Sequence, residues 1–442
     1  MIILSLQKAP HEKKGREYMQ HTSQFDLVVV GGGTAGAISA IAAAREGLRV
    51  AVLEQGTCLG GMAVNSGLTE MNAAGFQGTP LYCGIEREIF DRMISGGHAA
   101  YHFAVPMSSN KEVKIDRLRY DPEMLKLLLE DMAVEAGVTL FYETRLEAAQ
   151  ERDDRCVVTA RGHYQTLELK SQYLIDSTGN ADLVQVLGGE TIQTREDSRM
   201  ISTLMFRISN VDLEALNAFI HGGCLSQIIQ KGRQAGVLKG GILAFTPIPG
   251  TRDVSLNVTR AKFDHEDVVD TTRGIVEMRR QIEPIFRFVK QEVPGMEQAY
   301  ISSIASAMGV RDARRIYGAY TLTIDDLEQM TCFEDRVACG GYPMDFHDPV
   351  TNSVIWKMLP GVYYIPYRSL LPKGLHRTLA AGKCLSADQK AFGAIRVMPI
   401  MMNVGESSGY AVALALRGGK LLDELDTASL RACLCEKYGE QF

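Results

Sequence analysis

The chain has no C-x-x-C pair; its nine cysteines are scattered, and Cys433 and Cys435 form a lone C-x-C. A redox-disulfide centre, which needs two neighbouring thiols, is thereby excluded, and no zinc-ligand spacing is left. An odd cysteine count in a chain of 442 residues points to reduced thiols and a cytoplasmic protein. No run approaches the ~18 consecutive apolar residues of a membrane span, and the opening MIILSL is too short for a signal-peptide core. Met19 is a candidate start, with residues 1–18 as an extension. A net charge of -6 removes any general attraction to nucleic acid, and the cluster Arg311, Arg314 and Arg315 is too small to reverse it. Internal repeats and low-complexity linkers are absent too, so the length implies two or three domains around a large core. The partner expected is a small-molecule substrate, without nucleic acid or membrane; whether the chain forms a homo-oligomer stays open.

What the chain does have is DLVVVGGGTAGAISAIAAAREGLRVAVLE, from Asp26 to Glu54. It reads as strand (Leu27 to Val30), glycine turn, helix (Thr34 to Glu46) and second strand (Leu48 to Leu53). Gly31, Gly33 and Gly36 make G-x-G-x-x-G. The first glycine permits the tight turn, the second lets a pyrophosphate approach the backbone, and the third lets helix pack against sheet. Thr34 and Ala35 open the helix, whose N-terminus aims free N–H groups and partial positive charge at the phosphates. Glu54 closes the second strand, placed to accept hydrogen bonds from a ribose. A lone G-x-G-x-x-G says little. Between two strands, with an acid at the end of the second, it marks a dinucleotide site.

Further along, the small-residue loop with Gly60, Gly61 and Met62 follows the ribose acid directly, and suits contact with a flat ring or phosphate. A helix is expected from Tyr82 to Met93; residues 98–120 show no period and read as a loop or cap piece. Asp121-Pro122-Glu123 starts a helix with an N-cap, a first-turn proline and an acid at the positive end, and Gly137 ends it. Val138 to Tyr142 reads as a strand, Cys156 to Ala160 and Thr166 to Leu169 as a small antiparallel meander, and Tyr173 to Asp176 as a return to the main sheet. From about 190 to 350 helix and strand signals mix, as in an inserted domain. Thr378 to Ala381 is a strand ending at Gly382, and a final helix is expected to start near Gly405 and end before Gly418-Gly419.

Together VVVGGGTAG (28–36), LGGMA (59–63), DPEMLKLLL (121–129), IDSTGNAD (175–182), GVRDARRIYGAYTLTIDDL (309–327), YPMDFHDP (342–349), IPYRSLLPK (365–373) and AGKCLSADQKAFGAIRVMP (381–399) resemble the FAD-dependent oxidoreductases of the glutathione-reductase-like superfamily, distantly related to fumarate reductase flavoproteins. The resemblance spans about residues 25–417. It implies an α/β fold in which a Rossmann-like FAD-binding domain, a parallel sheet plus β-meander, carries an inserted α+β substrate or cap domain. The expected boundaries are 23–190 and 356–442 for the FAD-binding domain and 191–355 for the cap. It also implies that Gly179 and Asp182 contact the cofactor, that Gly382 lies under the isoalloxazine edge, and that Gly405 and Gly409 flank a helix start facing the flavin. With no histidine in the LGGMAVNSG loop, FAD is expected to be bound non-covalently.

The expected activity is hydride transfer between a small organic substrate and flavin N5, as a dehydrogenase or reductase. The lack of a second G-x-G-x-x-G argues against a dedicated NAD(P)H domain, and NAD(P)H stays open as an electron donor reaching the flavin at the substrate face. His347, between Asp345 and Asp348, is the acid/base candidate, with neighbouring carboxylates expected to raise its pKa; a structural histidine in a turn is the competing reading. Arg311 and Arg396 are the candidates for clamping a carboxylate or donating a proton. Arg314 reads rather as a salt-bridge partner of Asp312, Asp325 or Asp326. Two other classes remain: a group-transfer or biosynthetic protein on the same fold, needing a reactive cysteine such as Cys58 or Cys83, and a flavin-binding regulator without turnover.

Overall fold

Four consecutive apolar residues, Leu27–Val30, form the central strand of a five-stranded parallel sheet, buried on both faces. In the computed structural model, residues 20–106, 112–312, 314–351 and 354–439 are described. The reading of residues 1–18 as an extension lies outside them. Across the sheet the strands run Thr378–Ala380, Tyr173–Asp176, Leu27–Val30, Val50–Leu53 and Thr139–Phe141. Strand order therefore reverses beside Leu27–Val30, which opens a crevice at the carboxyl ends of the strands. The antiparallel strands Arg145–Glu151, Cys156–Arg161 and Thr166–Ser171 are the meander, joined in parallel by Gln20–Gln24. The chain thus has the Rossmann-type α/β architecture that the resemblance implies.

Helix Thr34–Arg45 is almost wholly buried. Its alanine-rich surface lies between the sheet and a long helix, Met398–Gly418. A β-carbon added at Gly405 would overlap Ala35 O, and one at Gly409 would stand 2.5 Å from Ser39 O. The expectation of a helix starting near Gly405 is therefore corrected: it starts seven residues earlier, with Pro399 in its first turn. Glycine in mid-helix looks like a boundary in the sequence because it is a poor helix former. Here two of them let one helix backbone approach another. Neither flanks the helix start, and the N-terminus lies at Met398.

Asp121 caps helix Pro122–Glu135, accepting from Glu123 N at 2.9 Å, with Pro122 in the first turn. Ile85, Ile89, Phe90 and Met93 are the buried face of helix Gly84–Ser95, as their spacing predicts. Residues 98–120, expected as loop, instead hold the antiparallel strands Ala99–Pro106 and Lys114–Tyr120, the second also pairing with Glu70–Asn72. Their alternation is irregular because a register shift between His102 and Val105 breaks the two-residue period.

A second sheet, four-stranded and antiparallel, runs in the order Ala244–Pro247, Val254–Asn257, Phe206–Ser209, Tyr300–Ile304. The 25-residue helix Val268–Glu292, capped by Asp267, packs its Met278, Ile282, Ile285 and Val289 into a separate core with Phe206, Leu216 and Leu256.

Candidate active site

The glycine turn is built by backbone contact. Gly31 has φ +97°, and a β-carbon there would stand 2.5 Å from Ser177 O. One on Gly36 would run into Gly31 O, so no larger residue fits either place. By contrast, a β-carbon on Gly33 would meet only Ser177 O, at 3.9 Å. Gly33 is the N-cap of helix Thr34–Arg45, and no side chain caps that end. The first turn, from Thr34 and Ala35 onward, is thus left without a side-chain cap, which fits a diphosphate. Glu54 is held by N–H groups of Gly32 (2.8 Å) and Gly56 (2.6 Å), one on each oxygen, with lone pairs left over for hydroxyl donors.

Gly60 donates from its N–H to Gly32 O at 2.8 Å, and a β-carbon on Gly61 would lie 2.9 Å from Gly33 Cα. The loop carrying Met62 thus closes directly over the glycine turn. Gly382 lies near the side chain of Ala35, and Gly179 near the stem of Lys383. Lys383 was missed by sequence reasoning, although it directly follows Gly382. Its Nζ donates to Val310 O at 3.1 Å, and burial brings its pKa down to about 8. Asp182 forms an ion pair with Arg314, whose Nε also donates to Asn180 O at 3.1 Å. The expected partners of Arg314 are corrected accordingly. Asp312 pairs with the buried Arg315 at 3.2 Å, and Asp326 caps helix Ile324–Glu328 and accepts from Tyr320.

The three catalytic candidates, drawn from separate segments, meet in one buried cluster around Asp345. Asp345 and His347 are two residues apart on strand Met344–His347, so their side chains share a face. His347 Nε2 lies 3.2 Å from Asp345 Oδ1, while Asp345 Oδ2 accepts from Arg396 Nη2 at 3.1 Å and from Tyr342 Oη at 3.2 Å. Burial works against the Asp345 carboxylate, but His347, Arg396 and Arg311 outweigh it and hold the group ionised. Asp348 turns away and accepts from Val350 N at 2.7 Å.

Proton affinity at His347 moves opposite to the expectation. Burial, then the positive charge of Arg311, drive its pKa down to about 3, against the pull of Asp345. His347 is a neutral imidazole whose Nε2 faces Asp345 Oδ1. Nor does it sit in a turn; it ends a strand paired with Val354.

Arg311 donates through Nη1 to Ile201 O (2.7 Å) and Thr203 Oγ1 (2.9 Å), and burial plus Arg396 lowers its pKa to about 10. Thr203 Oγ1 also accepts from Nη1 of Arg260, at 2.9 Å. No motif points to Arg260, an isolated arginine, and only the fold brings it here. Tyr367 is core, with its hydroxyl on Leu422 O, and Arg368 pairs with Asp335. Cys83 is buried beside Glu86 and Glu406, and burial pushes its thiol far above the ordinary range.

No helix among the described residues is long and apolar enough to cross a membrane. No curated protein matches the chain in sequence. Among solved structures it is similar to a geranylgeranyl bacteriochlorophyll reductase-like protein from Thermoplasma acidophilum. That likeness has a TM-score of 0.50 and 11% identity, over 95% of this chain and 85% of that one. It is also similar to p-nitrophenol 4-monooxygenase PnpA from Pseudomonas putida DLL-E4 (TM-score 0.48, 13% identity, 95% of this chain and 87% of that). A third is aklavinone-11 hydroxylase (TM-score 0.49, 14% identity, 92% and 64%). At 11% identity the first shows the fold alone. The family model for FAD dependent oxidoreductases matches residues 26–434, and with the glycine turn, Glu54 and the doubly wound sheet in place, the chain belongs to that family and uses FAD.

Proposed function

We propose that this protein moves a hydride between a carbon of a small organic substrate and FAD, with His347, Arg311 and Arg396 handling the substrate's charge and proton. The observation that carries this reading is the convergence of these residues on Asp345, just ahead of the N-terminus of helix Met398–Gly418. When bound, FAD takes or returns the hydride at N5. The Gly31-to-Gly36 turn would hold its diphosphate without a covalent bond, and Glu54 its ribose.

Two versions of this reading differ in what they ask of His347. Removing a hydroxyl proton in step with hydride loss needs a base near neutral pH, and an imidazole driven down to about 3 is a poor one. Moving hydrogen across a carbon–carbon bond beside a carboxylate or carbonyl needs fixed positive charge, which Arg311 and Arg396 supply. The low proton affinity of His347 favours this second version. The group-transfer reading loses Cys83 as its reactive cysteine, because burial keeps that thiol protonated. NAD(P)H remains in the proposal as a donor approaching the substrate face. A cytoplasmic protein with a small-molecule substrate, and neither nucleic acid nor membrane as partner, completes it; the acidic net charge and the lack of disulfides among the described residues support this part.

The test is the visible spectrum of the purified protein, followed by anaerobic mixing with NADH, NADPH, and panels of alcohols, amines and unsaturated or saturated acids. Bleaching of the flavin by one class supports the reading and names the donor. Bound flavin that no donor reduces turns it toward a regulator without turnover.

A further inference from the structure

The cluster around Asp345 holds more positive charge than it neutralises. Arg260, Arg311 and Arg396 bring three guanidinium groups; the carboxylate among them is that of Asp345, and His347 is neutral. Arg260 is 2% exposed. Its Nη1 is committed to Thr203 Oγ1, Asn257 Oδ1 (3.0 Å) and Thr259 O (2.6 Å), and its main chain is fixed by Gln281. Yet its Nη2 is buried with no partner among the described residues, as are Nε of Arg396 and Oδ1 of Asp345, so orphan donors outnumber the orphan acceptor. Both hydrogen bonds of Arg311 also run through Nη1. A buried donor without an acceptor is costly, and a buried guanidinium without a counter-charge more so. These side chains are not free to swing away, since Thr203 Oγ1 locks Arg260 and Arg311 side by side. The arrangement suits a missing anion.

We propose that Arg260 and Arg311, yoked by Thr203, form a seat for a carboxylate of the substrate, so that the substrates are small organic acids. The inference rests on the oxidoreductase reading above and narrows it. The diphosphate of FAD has its own seat at the Gly31-to-Gly36 turn, so this second cationic site is left for a different anion. A planar carboxylate matches the paired edges of two guanidinium groups, and the seat holds it beside His347 and Arg396. Burial and the charge of Arg311 bring Arg260 down to about 9, burial and the charge of Arg396 bring Arg311 down to about 10, and a bound carboxylate offsets both charges.

Calorimetry on the flavin-loaded protein with malonate, succinate and their neutral diamides tests the seat directly. The acids are expected to bind and perturb the flavin absorbance, while the diamides do not. Arg260→Gln weakens binding by roughly tenfold to a hundredfold, with the bound flavin retained. Thr203→Val, which leaves both charges in place and frees the two arginines, weakens it less. Equal binding of acids and diamides overturns the proposal, and this comparison needs only the natural protein. So does an Arg260→Gln protein that keeps its flavin and its full affinity for malonate. The same titration on flavin-free protein separates the two levels: if the chain fails to take up FAD, the oxidoreductase reading falls, while malonate binding still reports on Arg260.

Discussion

Replacing Gly409 by alanine tests the close approach of the two central helices. The new β-carbon would stand 2.5 Å from Ser39 O, 2.8 Å from Ala42 Cβ and 3.0 Å from Ala43 N. The first of these is about 1 Å inside the ~3.5 Å at which non-bonded atoms attract best. All three atoms belong to helix Thr34–Arg45, and two are backbone, so no side chain can rotate away. The helices must part, and overpacking of this kind costs about 1–3 kcal/mol. For a chain of this length that lowers the thermal midpoint of the flavin-free protein by about 1–3 °C. Gly405→Ala acts alike, its β-carbon meeting Ala35 Cα at 2.8 Å and Ala35 C at 2.9 Å. Because the two sites are one helical turn apart, the double variant is expected to cost less than the sum. Differential scanning calorimetry with and without FAD is the assay. Unchanged stability of the flavin-free protein, with loss of FAD affinity alone, would refute helix packing as the role of these glycines and restore a cofactor contact.

Three further outcomes follow from named side chains. His347 binds no proton in the folded protein until about pH 3, whereas an unfolded histidine binds one near 6.5. Its contribution to stability is therefore complete above 6.5 and lost as pH falls toward 3, by up to about 1.4 kcal/mol per pH unit; His347→Gln should flatten the acid limb of the stability curve, and parallel curves for the two proteins would contradict the burial argument. Glu406 behaves in the opposite sense: it accepts from Ile85 N at 3.0–3.1 Å and from Tyr438, yet burial raises its pKa to about 7 from 4.5. Its stabilising share is present below 4.5 and lost as pH rises through 7, so Glu406→Gln should gain on the natural protein above pH 7 in urea melts; equal midpoints at pH 5 and pH 8 would count against it. Glu54→Gln removes the charge between the N–H groups of Gly32 and Gly56, and FAD affinity should fall about tenfold by fluorescence titration, with no change in affinity speaking against a ribose contact.

Much of the architecture is written in local pattern. Leu27–Val30, Gly31, Gly33, Gly36 and Glu54 specify strand, turn, helix and acid, because each step is a short-range conformational requirement. Asp121 and Pro122 specify a helix start in the same way, by satisfying its own first turn. Glycine at 405 and 409 misleads for the complementary reason. Local propensity reads it as a boundary, while its use here depends on Ala35 and Ser39 some 370 residues earlier in the chain. The site divides along the same line. The sequence by itself determined the cofactor class and offered His347, Arg311 and Arg396 as chemistry-bearing types. Only the tertiary structure joined them to Asp345 and Arg260, paired Arg314 with Asp182, and set His347 neutral. Proton affinity and charge balance depend on burial and on every charge within a few ångströms, and a linear chain does not record which distant residues will share that space.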